Sequence, residues 1–177
     1  PNVFVVNVQP EQRDALLSQL QRIQPSADLI PMVRARITQL NQQPIISDSP
    51  RAKRLLDREA NVAVLAELPM HNRILNRIDL PDNSNYAGVS VEAGIAELLH
   101  IQLGDKLTFD MVGQPLTYVV TSLREVQWQS LQANFFFIIE PNNAIELPIT
   151  FMASFYTDLP LTEQTQLKQR WQSEFPG

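Results

Sequence analysis

Few residues in this chain have side chains suited to chemistry. There are two histidines, His71 and His100, and no cysteine. The lack of Cys removes thiolate nucleophiles, disulfides and thiolate metal ligands. His100 closes a predicted helix beside Ile101, where a cation suits the negative end of the helix dipole. His71 lies in a polar turn between Met70 and Asn72. No two histidines stand at helical ligand spacing and no His–carboxylate cluster reads out of the sequence, so no metal site is expected. Glycine occurs only five times, with no phosphate-cradling loop and no Gly-x-Ser-x-Gly turn. The carboxylates are scattered: Asp105 and Asp110 flank a predicted strand, Glu92 and Glu97 lie on a predicted helix, and solvated faces account for them. The distinctive group is aromatic, Trp128 and the run Phe135, Phe136, Phe137. On a strand, Phe135 and Phe137 share one face and Phe136 takes the other. Such a run is either a central strand buried on both sides or an apolar surface for a partner or lipid. These four aromatic residues are the candidate contacts. No catalytic or cofactor-binding residue is expected.

Composition narrows the classes. A chain of 177 residues allows one domain or two small ones with a sizeable core. A net charge of -5 argues against a protein that tracks nucleic-acid phosphates. No apolar run approaches the roughly 18 residues that a membrane helix needs. The chain starts at Pro1 without Met or a leader pattern, and so reads as a piece of something longer.

The elements follow from periodicity. Val3 to Val8 reads as a strand. Pro10 suits a first helical turn, Leu16, Leu17, Leu20 and Ile23 follow at helical spacing, and Pro25 ends the helix. Leu29 to Leu40 is a second strand, with Arg34 and Arg36 on one side and Val33, Ala35 and Ile37 on the other. Pro50 to Arg58 reads as a short helix, whose Arg51, Lys53, Arg54 and Arg58 suit a solvated face with internal pairs better than an anionic partner. Asn61 to Leu68 and Asn72 to Leu80 are strand candidates. Ser90 is placed as a helix N-cap with Glu92 in the first turn, and Val91, Ile95, Leu98 and Leu99 on one face, up to a stop at Gly104. Leu107, Phe109 and Met111 alternate as a strand, Gly113 and Gln114 turn the chain, and Leu116 to Leu123 returns. Asn134 to Ile139 and Thr150 to Tyr156 complete the strands. Thr162 opens a last helix carrying Leu167, Trp171 and Phe175.

Strand, Pro-containing turn and amphipathic helix thus occur at both ends of the chain. The expected fold is α+β, a split strand–helix–strand layer with a β-rich insertion.

The segment VSVEAGIAELLHIQLGDKLTFDMVGQPLTYVVTSLREVQWQS, then NFFF and a following Pro, resembles the extracytoplasmic (MacB-like periplasmic core) domain of FtsX/MacB-type ABC transporter permeases, in the YbbP-like branch. NVFVVNVQ with Pro10, PMVRARI, and Arg58, Glu59 and Asn61 followed by Leu68, Pro69 and Asn72 agree, so the likeness spans nearly the whole chain. His71 departs from it, standing where Gly is more usual. Family members also continue beyond the last helix into another strand and a membrane span. The resemblance implies a Porter subdomain over 1–45 and 148–177, its closing strand absent, with a Sabre subdomain over 46–147 inserted. It implies a non-catalytic domain on the periplasmic side of an inner-membrane protein. Its partners would be an ABC ATPase subunit, a lipase/esterase-type periplasmic hydrolase, a hydrophobic substrate or lipid, and a second permease copy in a homodimer. A free-standing binding module for a hydrophobic ligand or protein partner is the other reading.

Overall fold

The computed structural model describes residues 3–23, 27–69, 72–127, 135–142, 144–155 and 161–174. It is sheet-dominated with a few helices, an α+β protein, and divides into two compact units. The first takes in described residues up to Met32 and from Ile149 onward, and the second lies between them in sequence.

In the first unit, β1 (Val3–Val8) leads through a 3-10 turn at Pro10–Gln12 into α1 (Arg13–Ile23). Pro10 stands in the first turn, where its missing N–H costs nothing. The first residues of β2 (Ile30–Leu40) belong here too, with β10 (Thr150–Phe155) and α4 (Leu161–Glu174). β10 pairs antiparallel with β1, Val3 opposite Phe155, and with β2, Thr150 opposite Met32. Strands from the two ends of the chain therefore share one ladder. The core is Val8, Leu16, Leu20, Ala27, Leu29 and Ala153, with Leu17 and Phe151 packed against it. The Arg13 guanidinium lies 5.5 Å from the Phe151 ring centre, a cation–π contact.

The second unit holds the rest of β2, then β3 (Gln43–Pro44), α2 (Pro50–Leu56), β4 (Ala60–Val64), β5 (Asn72–Arg77), β6 (Gly88–Glu92), α3 (Ala93–Leu99), β7 (Lys106–Met111), β8 (Gln114–Val126) and β9 (Phe137–Ile139). Ser49 caps α2 by accepting from the Ala52 amide. The strands run in the order β4-β9-β6-β8-β5. β8 is the axis. Its first half pairs with β7 in a hairpin, and its second half lies between β6 and β5. A long strand that serves two ladders must carry apolar residues on both faces, and Tyr118, Val119 and Val120 are all buried. Phe109 joins the layers, with T-shaped contacts to Phe137 at 5.3 Å and Tyr118 at 6.1 Å.

Four expectations are corrected. Ser90 is not a helix cap. It lies in β6, whose five residues are all buried, and Glu92 is the N-cap, its carboxylate accepting from the Gly94 and Ile95 amides. A strand covered on both faces loses its alternation, so its apolar residues blend into the helical pattern that follows. The helix ends at Leu99, with His100 after it in the left-handed conformation (φ 57°), and so stops short of Gly104. The strand expected over Asn61 to Leu68 ends at Val64. Of the strand expected over Asn134 to Ile139, Asn134 lies outside the described residues, and among the rest only Phe137–Ile139 is strand, with Phe135 and Phe136 in the approach to it.

Candidate functional site

Strand pairing builds one continuous row of side chains across the second unit. Ala63 of β4 faces Ile138 of β9, Ile138 faces Ser90 of β6, Ser90 faces Ser122 of β8, and Ser122 faces Arg77 of β5. Residues in register share a sheet face, so these five stand in line. Ser90 and Ser122 are 5% and 7% exposed, and the Ser122 hydroxyl donates to Ser90 Oγ at 2.6 Å.

A cleft of about 810 Å3 lies over this row. Ile138, Ser90, Ser122 and Arg77 line it, with the 65–68 stretch and the 78–82 stretch as walls. Gly88, two residues before Ser90, is why the sheet fits together here. A Cβ there would stand 2.6 Å from Thr121 Oγ1 and 3.0 Å from Glu140 Oε1, both on cleft-lining residues. The Gly88 amide instead donates to Glu140 Oε2 at 3.1 Å.

Two residues along each strand, on the same face, lie two buried charges. Period-two alternation puts Arg124 on the face of Ser122 and Glu92 on that of Ser90, and Glu92 stands opposite Arg124. Arg124 is fully buried and Glu92 is 9% exposed. The guanidinium donates through Nη1 to Asn72 Oδ1 at 3.0 Å and through Nη2 to the Phe135 carbonyl at 2.5 Å, while Nε has no partner. Burial lowers its pKa to about 10, against the pull of Glu92. It therefore stays a cation at neutral pH and ties the first residue of β5 and the approach to β9 onto β8.

The aromatic candidates separate. Phe137 is fully enclosed, Phe135 is 4% exposed, and Phe136 is half-buried, its carbonyl accepting from the Glu92 amide at 2.8 Å. Trp128 lies outside the described residues, as does His71. Among the described residues no group of three His, Cys, Asp or Glu is placed to hold a metal ion, and no helix is long and apolar enough to cross a membrane. The residues that sequence reasoning missed as a group are Ser90, Ser122, Glu92 and Arg124. The signal in sequence was weak: Ser122 and Arg124 stand two apart on one face of β8, but Thr117, Thr121 and Glu125 put polar residues on the other face too.

The described residues thus form an α+β, sheet-dominated fold. No family model matches the chain. Over 175 residues, 97% of its length, the chain is 35% identical to the uncharacterized ABC transporter permease YbbP of Escherichia coli (strain K12). It spans 21% of that relative. The chain is therefore similar, along almost its whole length, to one segment of that ABC transporter permease. Among solved structures, it is similar to the periplasmic region of MacB from Actinobacillus actinomycetemcomitans, with a TM-score of 0.43 and 12% identity over 96% of this chain and 75% of that one. It is also similar to a permease-protein domain from Porphyromonas gingivalis, with a TM-score of 0.39 and 10% identity over 90% of this chain and 76% of that one.

Proposed function

We propose that the chain is the periplasmic domain of an ABC transporter permease. It takes up ATP-driven movement of membrane helices and passes it on, to the extraction or export of a hydrophobic molecule or to a periplasmic partner. The observation that carries this reading is the 35% identity to YbbP along almost the whole chain. In this reading the split layer over 1–45 and 148–177 is Porter-like and the part between is Sabre-like. The pairing of β10 with both β1 and β2 is the feature that supports a split layer. The ATPase subunit acts through parts of the permease outside this chain, and a lipase/esterase-type hydrolase is the periplasmic partner. A second permease copy completes a homodimer. The domain itself is non-catalytic. Phe136 remains a proposed partner or lipid contact, as does Trp128, while Phe135 and Phe137 are buried.

This chain holds no cysteine, so a full-length permease in which any cysteines outside it are replaced gives a direct test. Val112→Cys and Glu163→Cys, one on each unit, are labelled with a donor and an acceptor dye in the full-length permease, reconstituted with its ATPase subunit. ATP should change the energy transfer, and a non-hydrolysable analogue should hold one state. An unchanged signal through turnover rejects the coupling reading. The chain alone should cleave neither ATP nor a short-chain ester faster than buffer does.

A further inference from the structure

The cleft over the Ser90–Ser122 row has a chemistry of its own, which the aromatic candidates do not share. Its floor is the buried hydroxyl pair. Because Ser122 donates to Ser90, the Ser90 hydroxyl hydrogen is left without a protein acceptor among the described residues, on a side chain 95% buried and lining the cleft. A buried donor in this state is matched by a neutral acceptor such as a peptide carbonyl. Charge on the lining is one-sided. Glu67, Asp79, Asp82 and Glu140 line it against the single cation Arg77. The ion pairs found among the described residues are Arg13–Asp14, Arg34–Glu59 and Arg73–Glu125, so none of the four acids is neutralised by a direct pair. The rim is apolar: Ile74 and Ile78 line the cleft at 41% and 39% exposure, large for isoleucine, and Leu68 and Leu80 join them.

Size chooses among ligands that present a cation beside apolar groups. From β9 across β6 and β8 to β5 there are three strand spacings, roughly 14 Å at about 4.8 Å each. An extended segment of about four residues, at about 3.3 Å each, covers that distance. We infer that the cleft is a docking site for an extended segment of a protein partner in which Lys or Arg alternates with apolar residues. One main-chain carbonyl accepts from Ser90. The basic side chains meet Asp79, Asp82 and Glu67, and the apolar ones lie on Ile74 and Ile78. This inference rests on the proposed function only in taking a periplasmic partner to be a protein. It is read by binding to the chain itself, so it fails or stands separately from the ATP-driven movement.

The test uses fluorescein-labelled peptides and anisotropy. A Lys–Leu alternating pentapeptide should bind at least about 10-fold more tightly than a Glu–Leu one, and the difference should shrink as salt rises. Asp79→Lys with Asp82→Lys, both on exposed loop positions, should weaken the Lys–Leu peptide by about 10-fold or more. Arg77→Glu should strengthen it, while Glu163→Lys on α4 should leave it unchanged. Circular dichroism checks that each variant keeps the wild-type fold. Equal binding of the two peptides, or equal affinity in the Asp79/Asp82 variant, overturns the inference. Decylammonium binding as tightly as the peptide would also overturn it, since the site would then recognise a single-headed amphiphile and no chain.

Discussion

Glu92 and Arg124 face each other across the parallel pair β6–β8, both buried, yet the carboxylate bonds the amides that open α3 and not the guanidinium. The acid is thus fixed by a helix N-terminus, whose dipole favours negative charge. Its field then supports a cation whose hydrogen bonds go elsewhere, to Asn72 and Phe135. One charge caps a helix and the other gathers two distant segments onto β8. Neither role needs contact between them.

Arg124 should therefore be costly to remove. Arg124→Met leaves the buried Phe135 carbonyl without its donor and removes the cation opposite Glu92, and the expected loss is about 3–5 kcal/mol. Arg124→Lys should recover less than half, because an ammonium cannot hold two acceptors in a fixed fork. Urea unfolding at pH 7 reads both. A loss below about 1 kcal/mol for Arg124→Met would show that the cation is incidental.

Gly88→Ala should destabilise by about 1–3 kcal/mol through overpacking, because the new methyl meets Thr121 Oγ1 at 2.6 Å and Cγ2 at 2.9 Å. Both atoms belong to one side chain, so Thr121→Ala added to Gly88→Ala should restore part of the loss. A double variant less stable than the sum of the single changes would place the strain elsewhere.

Tyr118 supplies a pH signature. It is 2% exposed, and burial raises its pKa above the ordinary 10. Above pH 10 the unfolded chain ionises first and the fold lags, so stability falls as pH climbs through that window. Arg124 acts with the opposite sign. Its pKa, lowered to about 10, makes the fold lose that proton before the unfolded chain does as pH rises, which relieves a buried charge. Tyr118→Phe should consequently flatten the alkaline loss seen in the wild type. Phenolate absorbance at 295 nm should show one of the three tyrosines titrating late in the native protein and on time in urea. Three coincident titrations would refute the assignment.

The hairpin between β7 and β8 turns on Val112 and Gly113, both with positive φ, 53° and 86°. That is the sign pattern of a type I′ turn, which suits Asn-Gly. A β-branched residue in the left-handed region is strained by roughly 1–2 kcal/mol. Val112 is 69% exposed, so nothing in the core is lost by replacing it. Val112→Asn should stabilise by about 1 kcal/mol, read as a rise in thermal midpoint, and an unchanged midpoint would mean the turn carries no strain.

Local signals were legible where one face meets solvent. Leu16, Leu17 and Leu20 marked α1, and the alternation of Arg34 and Arg36 with Val33, Ala35 and Ile37 marked β2, because exposure on one side leaves a period in the sequence. β6 left none, being buried throughout, and its last three residues, Ser90 to Glu92, were absorbed into a helix that starts at Ala93. The Phe run misled differently. Three consecutive aromatic residues suggest a strand of their own length, yet the ladder begins at Phe137. Phe135 instead gives its carbonyl to Arg124 and Phe136 gives its own to the Glu92 amide.

What the amino-acid order determined by itself is the inventory: the types of most elements, the lack of cysteine, and a run of motifs like those of a permease segment. Which side chains meet was decided in three dimensions. Ser90 and Ser122 are 32 positions apart, and Asn72 and Arg124 are 52 apart. Each meeting depends on a strand register set by the burial of whole faces. A shift of one residue in β8 would turn Ser122 and Arg124 to the opposite face and leave no cleft floor and no buried cation. Local propensity cannot encode that choice, because the free energy that selects it is gained only when the strands have closed on one another.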